Sequence, residues 1–89
     1  MSKTDKLRKL YSAIRTLKTD ADCDAFFSDL CTDKELEKMA ERLYAAELLM
    51  EGKTYNQVME QSNISSATLS RVSRCVQYGS GYSKVLKKK

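Results

Sequence analysis

The sequence predicts a small all-α protein that folds as one domain over residues 1–89. The chain contains no proline and only three glycines, a composition that suits helices and disfavours turn-rich β folds. Hydrophobic residues make up 42% and charged residues 31%, as in ordinary globular proteins, so a disordered chain is not expected. Apolar residues also recur at the three- and four-residue intervals of amphipathic helices.

The first two helices are predicted from an apolar stripe and a cap. Helix one should run from about Asp5 to Leu17, because large apolar residues recur there at helical spacing. These residues are Leu7, Leu10, Tyr11, Ile14 and Leu17. Thr19 is the predicted N-cap of helix two, with Asp20 and Asp22 near the positive end of the helix dipole. The apolar face of helix two is formed by Phe26, Phe27 and Leu30.

The third helix has both a start signal and a stop signal. Thr32 and Glu35 have the spacing of a capping box, in which each side chain bonds the backbone N–H of the other. The helix should continue to about Glu51 and stop at Gly52, because glycine readily adopts the left-handed conformation that ends a helix.

The same helix predicts a partner subunit. Only Glu47 is charged between Leu43 and Met50, so this segment is apolar on nearly all sides and needs cover on more than one. A chain this short offers little material for that cover, and the stripe on helix one needs a surface as well. We therefore predict that residues 5–51 provide the core and dimerisation helices of a homodimer. A compact monomeric bundle is the alternative.

The pattern changes after the third helix. Thr54 and Gln57 form a second capping box, which opens a short helix from about Tyr55 to Gln61. A tight turn should follow over Ser62–Ile64, because Asn63 is one of the few residue types that tolerate the left-handed conformation.

A second short helix follows the turn. Ser65 or Ser66 is the predicted N-cap, and the helix should reach about Tyr78. Two short helices joined by a few residues are typical of a helix-turn-helix, which we assign to residues 54–78. The small core that fixes the angle between the two helices should consist of Val58, Ile64, Leu69 and Val72.

The outward face of the second short helix favours DNA. This face is predicted to carry Ser66, Ala67, Thr68, Ser70, Arg71, Ser73 and Arg74. Small side chains at the N-terminal end allow close approach to base edges in the major groove, and the arginines can reach phosphates or guanine. The predicted DNA-contacting residues are Ser65, Ser66, Ala67, Thr68, Ser70, Arg71 and Arg74. An amphipathic hairpin with a solvated, serine-rich face is the alternative.

Charge is divided by region. The formal charge is +5 over residues 1–18, −7 over residues 19–62 and +6 over residues 63–89. Two basic ends favour a polyanionic partner, although basic ends can also be merely solvated. Residues 79–89 are predicted to form a helix or a basic tail. Lys84 and Lys87–Lys89 are expected to contact DNA phosphates at the rim of the interface.

The composition excludes several kinds of chemistry. The chain has no histidine, the commonest general base and zinc ligand, so no catalytic or metal site is predicted. Cys23, Cys31 and Cys75 have no Cys-x-x-Cys spacing and are expected to be buried thiols. No segment has the length of a membrane span or the pattern of a signal peptide, so we expect a cytoplasmic protein without membrane contact.

Several motifs together carry a family resemblance over roughly residues 5–86. In the C-terminal half they are Thr54-Tyr55-x-x-Val58, the run from Ser65 to Cys75, and Tyr78-Gly79-x-Gly81-Tyr82. In the N-terminal half they are Leu17-Lys18-Thr19, Phe26-Phe27-x-Asp29-Leu30-Cys31-Thr32 and Glu41-Arg42-Leu43. This joint pattern resembles the tryptophan-repressor superfamily, specifically its YerC/YecD branch.

The resemblance implies a fold, a function and a ligand site. It implies an intertwined homodimer that binds operator DNA through two recognition helices, as a sequence-specific transcriptional repressor and not an enzyme. It implies no required cofactor. The repressor's ligand site corresponds to Thr32, Arg42 and Arg71, so the effector would be an amino acid such as tryptophan, another small metabolite or none. Val72 stands where the repressor has a glycine, and it could fill that pocket.

Two other function classes fit some of the same features. The helical hairpin could dock on an acidic protein partner without reading DNA. A small helical enzyme acting on a dianion would instead bring Arg15, Arg42 and Arg71 together.

Overall fold

The computed structural model describes residues 1–86, and these residues form six α-helices and no strand. The helices are α1 (Lys3–Ile14), α2 (Asp20–Leu30), α3 (Asp33–Met50), α4 (Tyr55–Ser62), α5 (Ser66–Tyr78) and α6 (Gly81–Val85). The all-α prediction is therefore confirmed. Lys87–Lys89, predicted as phosphate contacts, lie outside the described residues.

The chain divides into two compact units. Residues 1–33 form the first, which contains α1 and α2, and the second begins at Lys34 and contains the rest of α3 and the helices after it. The single-domain organisation stays a prediction.

The ends of α1 differ from the prediction for local reasons. The helix begins two residues early, because Ser2 and Asp5 form a capping box with backbone-to-side-chain distances of 3.1 and 3.2 Å. It ends at Ile14, three residues before the predicted end. There the amide of Thr16 donates to the carbonyl of Ala13 at 3.1 Å, and its hydroxyl donates to the same oxygen at 2.7 Å. These bonds close a tighter turn than an α-helix allows.

No residue of α1 or α2 is buried within the chain. Thr19 caps α2 as predicted, since its side chain accepts the amide of Asp22 at 3.0 Å. The rings of Phe26 and Phe27 meet edge to face with centroids 5.2 Å apart, but both side chains are only half-buried. The first unit therefore lacks a buried core of its own.

The buried core lies in the second unit. It consists of Ala45, Ala46 and Leu48 from α3, Val58 from α4, and Leu69 and Val72 from α5. The predicted core positions are thereby confirmed for the two short helices, with Ile64 half-buried against them. Tyr82 and Leu86, in and just after α6, pack on the same cluster.

The stop of α3 at a glycine is confirmed. Gly52 follows the helix with a φ of +89°, a conformation that costs glycine little and other residues more. The amide of Lys53 donates to the carbonyl of Leu48 at 3.2 Å, and that of Gly52 donates to the carbonyl of Leu49 at 3.0 Å. This pair of bonds is a Schellman motif, which satisfies carbonyls that the helix end leaves without partners.

The start of α4 and the turn that follows it also have the predicted chemistry. Thr54 and Gln57 form the capping box, with distances of 2.9 and 3.2 Å. Asn63 is left-handed, with φ 61° and ψ 33°. Ser62 was predicted in the turn, but it is the buried last residue of α4, where its hydroxyl donates to the carbonyl of Val58.

The cap of α5 is Ser65 and not Ser66, and its side chain accepts the amide of Thr68 at 3.2 Å. The helix reaches Tyr78 as predicted. At Gly79 an added Cβ would lie 2.7 Å from the carbonyl oxygen of Cys75, so the backbone can turn into α6 there only without a side chain.

Two further predictions concern thiols and membranes. Cys23, Cys31 and Cys75 are free thiols as expected, but they are half-buried where burial was predicted. Within residues 1–86, no helix has the length and apolar character that a membrane span requires.

Replacing the cap of α5 tests this local structure. Ser65→Ala should lower the free energy of unfolding by about 1 kcal/mol, because the amide of Thr68 would lose its acceptor. Ser66→Ala is the matched control and should change it by less than about 0.5 kcal/mol, because the side chain of Ser66 is exposed. Urea denaturation measures both. Equal losses would show that Ser65 is not the cap.

Candidate nucleic-acid interface

One side of α5 is exposed, and the other is buried in the core. Leu69 and Val72 are fully buried, which fixes the side that the helix turns inward. The exposed residues among the predicted DNA contacts are Ser65, Ser66, Ala67, Ser70, Arg71 and Arg74. Ala67, Arg71 and Arg74 follow the four- and three-residue spacing of a single helix face. The surface they form carries two guanidinium groups beside small side chains.

The N-terminal end of α5 is organised by its cap. The hydroxyl of Ser65 donates to that of Thr68 at 3.1 Å and also accepts the amide of Thr68. Thr68 is half-buried, so it is less accessible than the other predicted contacts. The amides of Ser66 and Ala67 belong to the first turn, where no preceding helical carbonyl can accept them. This end of the helix can therefore donate hydrogen bonds to an anion.

The prediction that Ser73 faces outward is wrong. Its side chain is 6% exposed, and the hydroxyl of Tyr55 donates a hydrogen bond to its Oγ. Ser73 follows Leu69 by four residues, so both lie on the inner face of the helix. That spacing was a usable sequence signal for Ser73, whereas no local pattern predicts Tyr55 as its partner.

The positive charge predicted for the C-terminal region is on the surface. Arg71, Arg74 and Lys84 are all exposed, and residues 63–86 contain no acidic side chain. These cations can therefore act on a polyanion without competition from a carboxylate of the same segment.

Two predicted ligand-binding arginines line one pocket. Arg42, Ala67, Thr68 and Arg71 border an open space of about 400 Å³ within the second unit. No carboxylate is among these lining residues. Arg42 is half-buried, whereas Arg71 is exposed.

A smaller cavity of about 90 Å³ shares two of these residues, Arg42 and Thr68. Its remaining lining residues are Lys38, Glu41, Asn63, Ile64 and Ser65. Arg42 therefore stands where α3 faces the start of α5.

Two other positions bear on the ligand site. Thr32 is in the first unit, directly before the start of α3, and its role in a ligand site stays a prediction. Val72 lies in the buried core and is not among the residues that line the 400 Å³ pocket.

Within the described part of the chain, no three His, Cys, Asp or Glu residues are grouped so as to hold a metal ion.

Comparison with known proteins identifies the family. The model of the Trp repressor protein family matches residues 5–89, nearly the whole chain. The uncharacterized protein YerC of Bacillus subtilis (strain 168) is 44% identical over 80 residues, which cover 84% of this chain and 77% of that protein.

Solved structures show the same fold. A Trp repressor-like protein from Eubacterium eligens ATCC 27750 superimposes with a TM-score of 0.90 at 37% identity, covering 96% of this chain and 89% of its own. A protein from Staphylococcus aureus that is described as a Trp repressor superimposes with a TM-score of 0.86 at 36% identity. The match covers 97% of this chain and 92% of that protein's chain.

The resemblance seen in the sequence motifs is therefore confirmed for the family and the fold. Trp repressors are regulatory DNA-binding proteins, which also confirms the prediction that the chain is not an enzyme. The chain belongs to the Trp repressor family, within its YerC-like branch.

Proposed function

We propose that this protein is a sequence-specific DNA-binding transcriptional repressor that acts in the cytoplasm as a homodimer. The observation that carries the proposal is the exposed face of α5, where small side chains precede two arginines on a helix anchored by Leu69 and Val72. Such a face fits a recognition helix, which inserts its N-terminal residues into the major groove.

The position of each side chain along α5 suggests its role. Ser66, Ala67 and Ser70 are small and exposed near the N-terminus, so they can approach base edges. Arg74 lies seven residues beyond Ala67, or about 10 Å along the helix axis, and the major groove is about 8.5 Å deep. Arg74 would therefore meet phosphates at the edge of the groove.

The remaining predicted DNA contacts have supporting roles. Arg71, one turn before the end of this face, can reach a base or a phosphate. Ser65 and Thr68 bond to each other at the start of the helix, so their main contribution to DNA binding is to hold the first turn in place. Lys84 adds a further phosphate contact from α6.

A second copy of the chain would cover apolar surface that the monomer leaves in water. No residue of α1 or α2 is buried, and Tyr11 and Leu30 are 50% and 52% exposed. On α3, Met39, Leu43 and Tyr44 are exposed as well. Full burial of a large apolar side chain contributes about 1.5–3 kcal/mol, so covering these helices favours association. A twofold dimer would also present two copies of α5 to successive major grooves.

Sedimentation equilibrium tests the dimer. We expect twice the 10.1 kDa mass of the chain at micromolar concentration. Leu30→Asp should shift the protein towards the monomer, because a charge would replace an apolar group at the covered surface. Asp29→Asn, at the neighbouring exposed position, is the control. A wild-type protein that remains at 10.1 kDa would contradict the proposed dimer.

Titration of labelled duplex DNA tests sequence-specific binding. With DNA from upstream of the protein's own gene, we expect binding at least about a thousandfold tighter than to scrambled DNA. Arg74→Ala should weaken both DNAs alike and reduce the slope of log affinity against log salt by about 1, because one phosphate contact is lost. Lys34→Ala on α3 should leave the slope unchanged.

Weak and equal binding of the two DNAs would contradict the proposal and favour docking on an acidic protein. An unchanged slope in Arg74→Ala would contradict only the phosphate contact of that arginine.

The pocket of Arg42 and Arg71 supports a second, narrower proposal, in which an amino acid such as tryptophan regulates DNA binding. Two guanidinium groups beside one 400 Å³ space can pair with a carboxylate or stack on a planar ring. Repeating the DNA titration with a panel of amino acids tests this, and Arg42→Ala should abolish any effect of the active one. If no amino acid changes the affinity, the corepressor proposal is wrong.

A further inference from the structure

We infer that the hydrogen bond between Tyr55 and Ser73 fixes the rotation of α5 about its own axis, and that it thereby sets how sharply the protein discriminates between DNA sequences. The inference rests on the proposed function. It assigns a positioning role to two residues that are not among the predicted DNA contacts.

The bond joins α4 to α5 through two residues that are far apart in the sequence. Tyr55 is the first residue of α4, and Ser73 lies in the second half of α5, 18 residues later. The backbone at Tyr55 is itself held in place, because Thr54 and Gln57 on either side form the capping box of α4. The phenolic hydroxyl is therefore presented to α5 from a fixed point.

The apolar contacts between the helices leave this rotation less strictly defined. Val58, Leu69 and Val72 are fully buried, but apolar burial depends on area and has no preferred direction. A hydrogen bond weakens steeply when its angle or distance changes. Tyr55 and Ser73 therefore add a directional constraint to a non-directional core.

The constrained residue lies beside the DNA-facing surface. Ser73 immediately precedes Arg74 and follows Ser70 by three residues, so rotation of α5 moves all three together. A helix with its side chains is about 10–12 Å across, so a 20° rotation displaces its surface by about 2 Å. Hydrogen bonds to base edges tolerate about 0.5 Å, so such a displacement would break them. Ion pairs with phosphates would survive it, because Coulomb attraction falls slowly with distance.

Burial indicates that the hydroxyl is the important part of Tyr55. Its side chain is 49% exposed, whereas Ser73 is 6% exposed. The ring thus contributes modestly to the core, while the hydroxyl supplies a donor to a buried serine. Tyr55→Phe would keep the ring and remove only the hydrogen bond.

A double-mutant cycle tests the inference with Tyr55→Phe, Ser73→Ala and the combined variant. Ser83→Ala is the control, because it removes a hydroxyl hydrogen bond to the carbonyl of Ser80 at α6, which does not join α4 to α5. The quantity measured is the ratio of two affinities, one for the operator, which is the duplex from upstream of the protein's own gene, and one for scrambled DNA. Each single variant should lower the ratio about three- to tenfold, the range that one net hydrogen bond can supply.

The combined variant should lose no more than either single variant, because the same bond is broken in all three. The control should stay within about twofold of wild type. Binding to scrambled DNA and its salt dependence should not change, since no cation is removed.

The following outcomes would overturn the inference. An unchanged ratio with a lower unfolding midpoint would show that the bond only stabilises the fold. A loss in Tyr55→Phe without one in Ser73→Ala would show that Tyr55 contacts DNA directly. If the wild-type protein itself does not prefer its operator, the proposed function fails and the discriminating role fails with it. A preference that survives in all variants contradicts only the inference.

Discussion

Burial of Val58 against Leu69 and Val72 is the interaction on which the rest of the second unit depends. These are its three largest fully buried side chains, and they join α4 to α5 across a turn of three residues. Because one side of α5 is buried in this cluster, the opposite side faces water or a partner. The exposed face with Arg71 and Arg74 is thus a consequence of core packing. The buried cluster is small, so directional contacts at its edge, such as the bond between Tyr55 and Ser73, carry more weight than they would in a large core.

The two units differ in what stabilises them. The second unit has a buried cluster and closes its turns with the caps of Gly52, Thr54, Asn63 and Ser65. The first unit has well-formed helices but buries no residue of α1 or α2. Isolated helices of such length are marginal in water, because their stability comes mainly from packing an apolar face. The proposed dimer would supply that packing, and it would make folding of the first unit and assembly of the DNA-binding protein one process.

Features that depend on nearby residues were predictable from the sequence. The cap of Thr19, the capping box of Thr54, the left-handed Asn63 and the stop at Gly52 each arise from a few adjacent side chains and backbone groups. The errors arose where two patterns competed or where a distant residue decided the outcome. The apolar stripe of α1 continues to Leu17, but hydrogen bonds of Thr16 end the helix earlier.

The candidate site shows the same division. The exposed face of α5 follows from helical spacing alone, and most of its predicted residues are exposed. Ser73 was misplaced because a serine beside arginines suggests a solvated face, whereas its partner Tyr55 comes from another helix. The shared pocket of Arg42 and Arg71 depends on the packing of α3 against α5, for which the family resemblance gave information that spacing could not.

The central claim is that the exposed face of α5 meets DNA, and the most direct test is to map amide chemical shifts of ¹⁵N-labelled protein as operator duplex is added. The largest changes should fall on residues 65–74, with smaller ones near Lys84. Changes confined to the basic residues 1–18, with α5 unaffected, would contradict the claim, because they would indicate attraction to phosphates without a recognition helix in the groove.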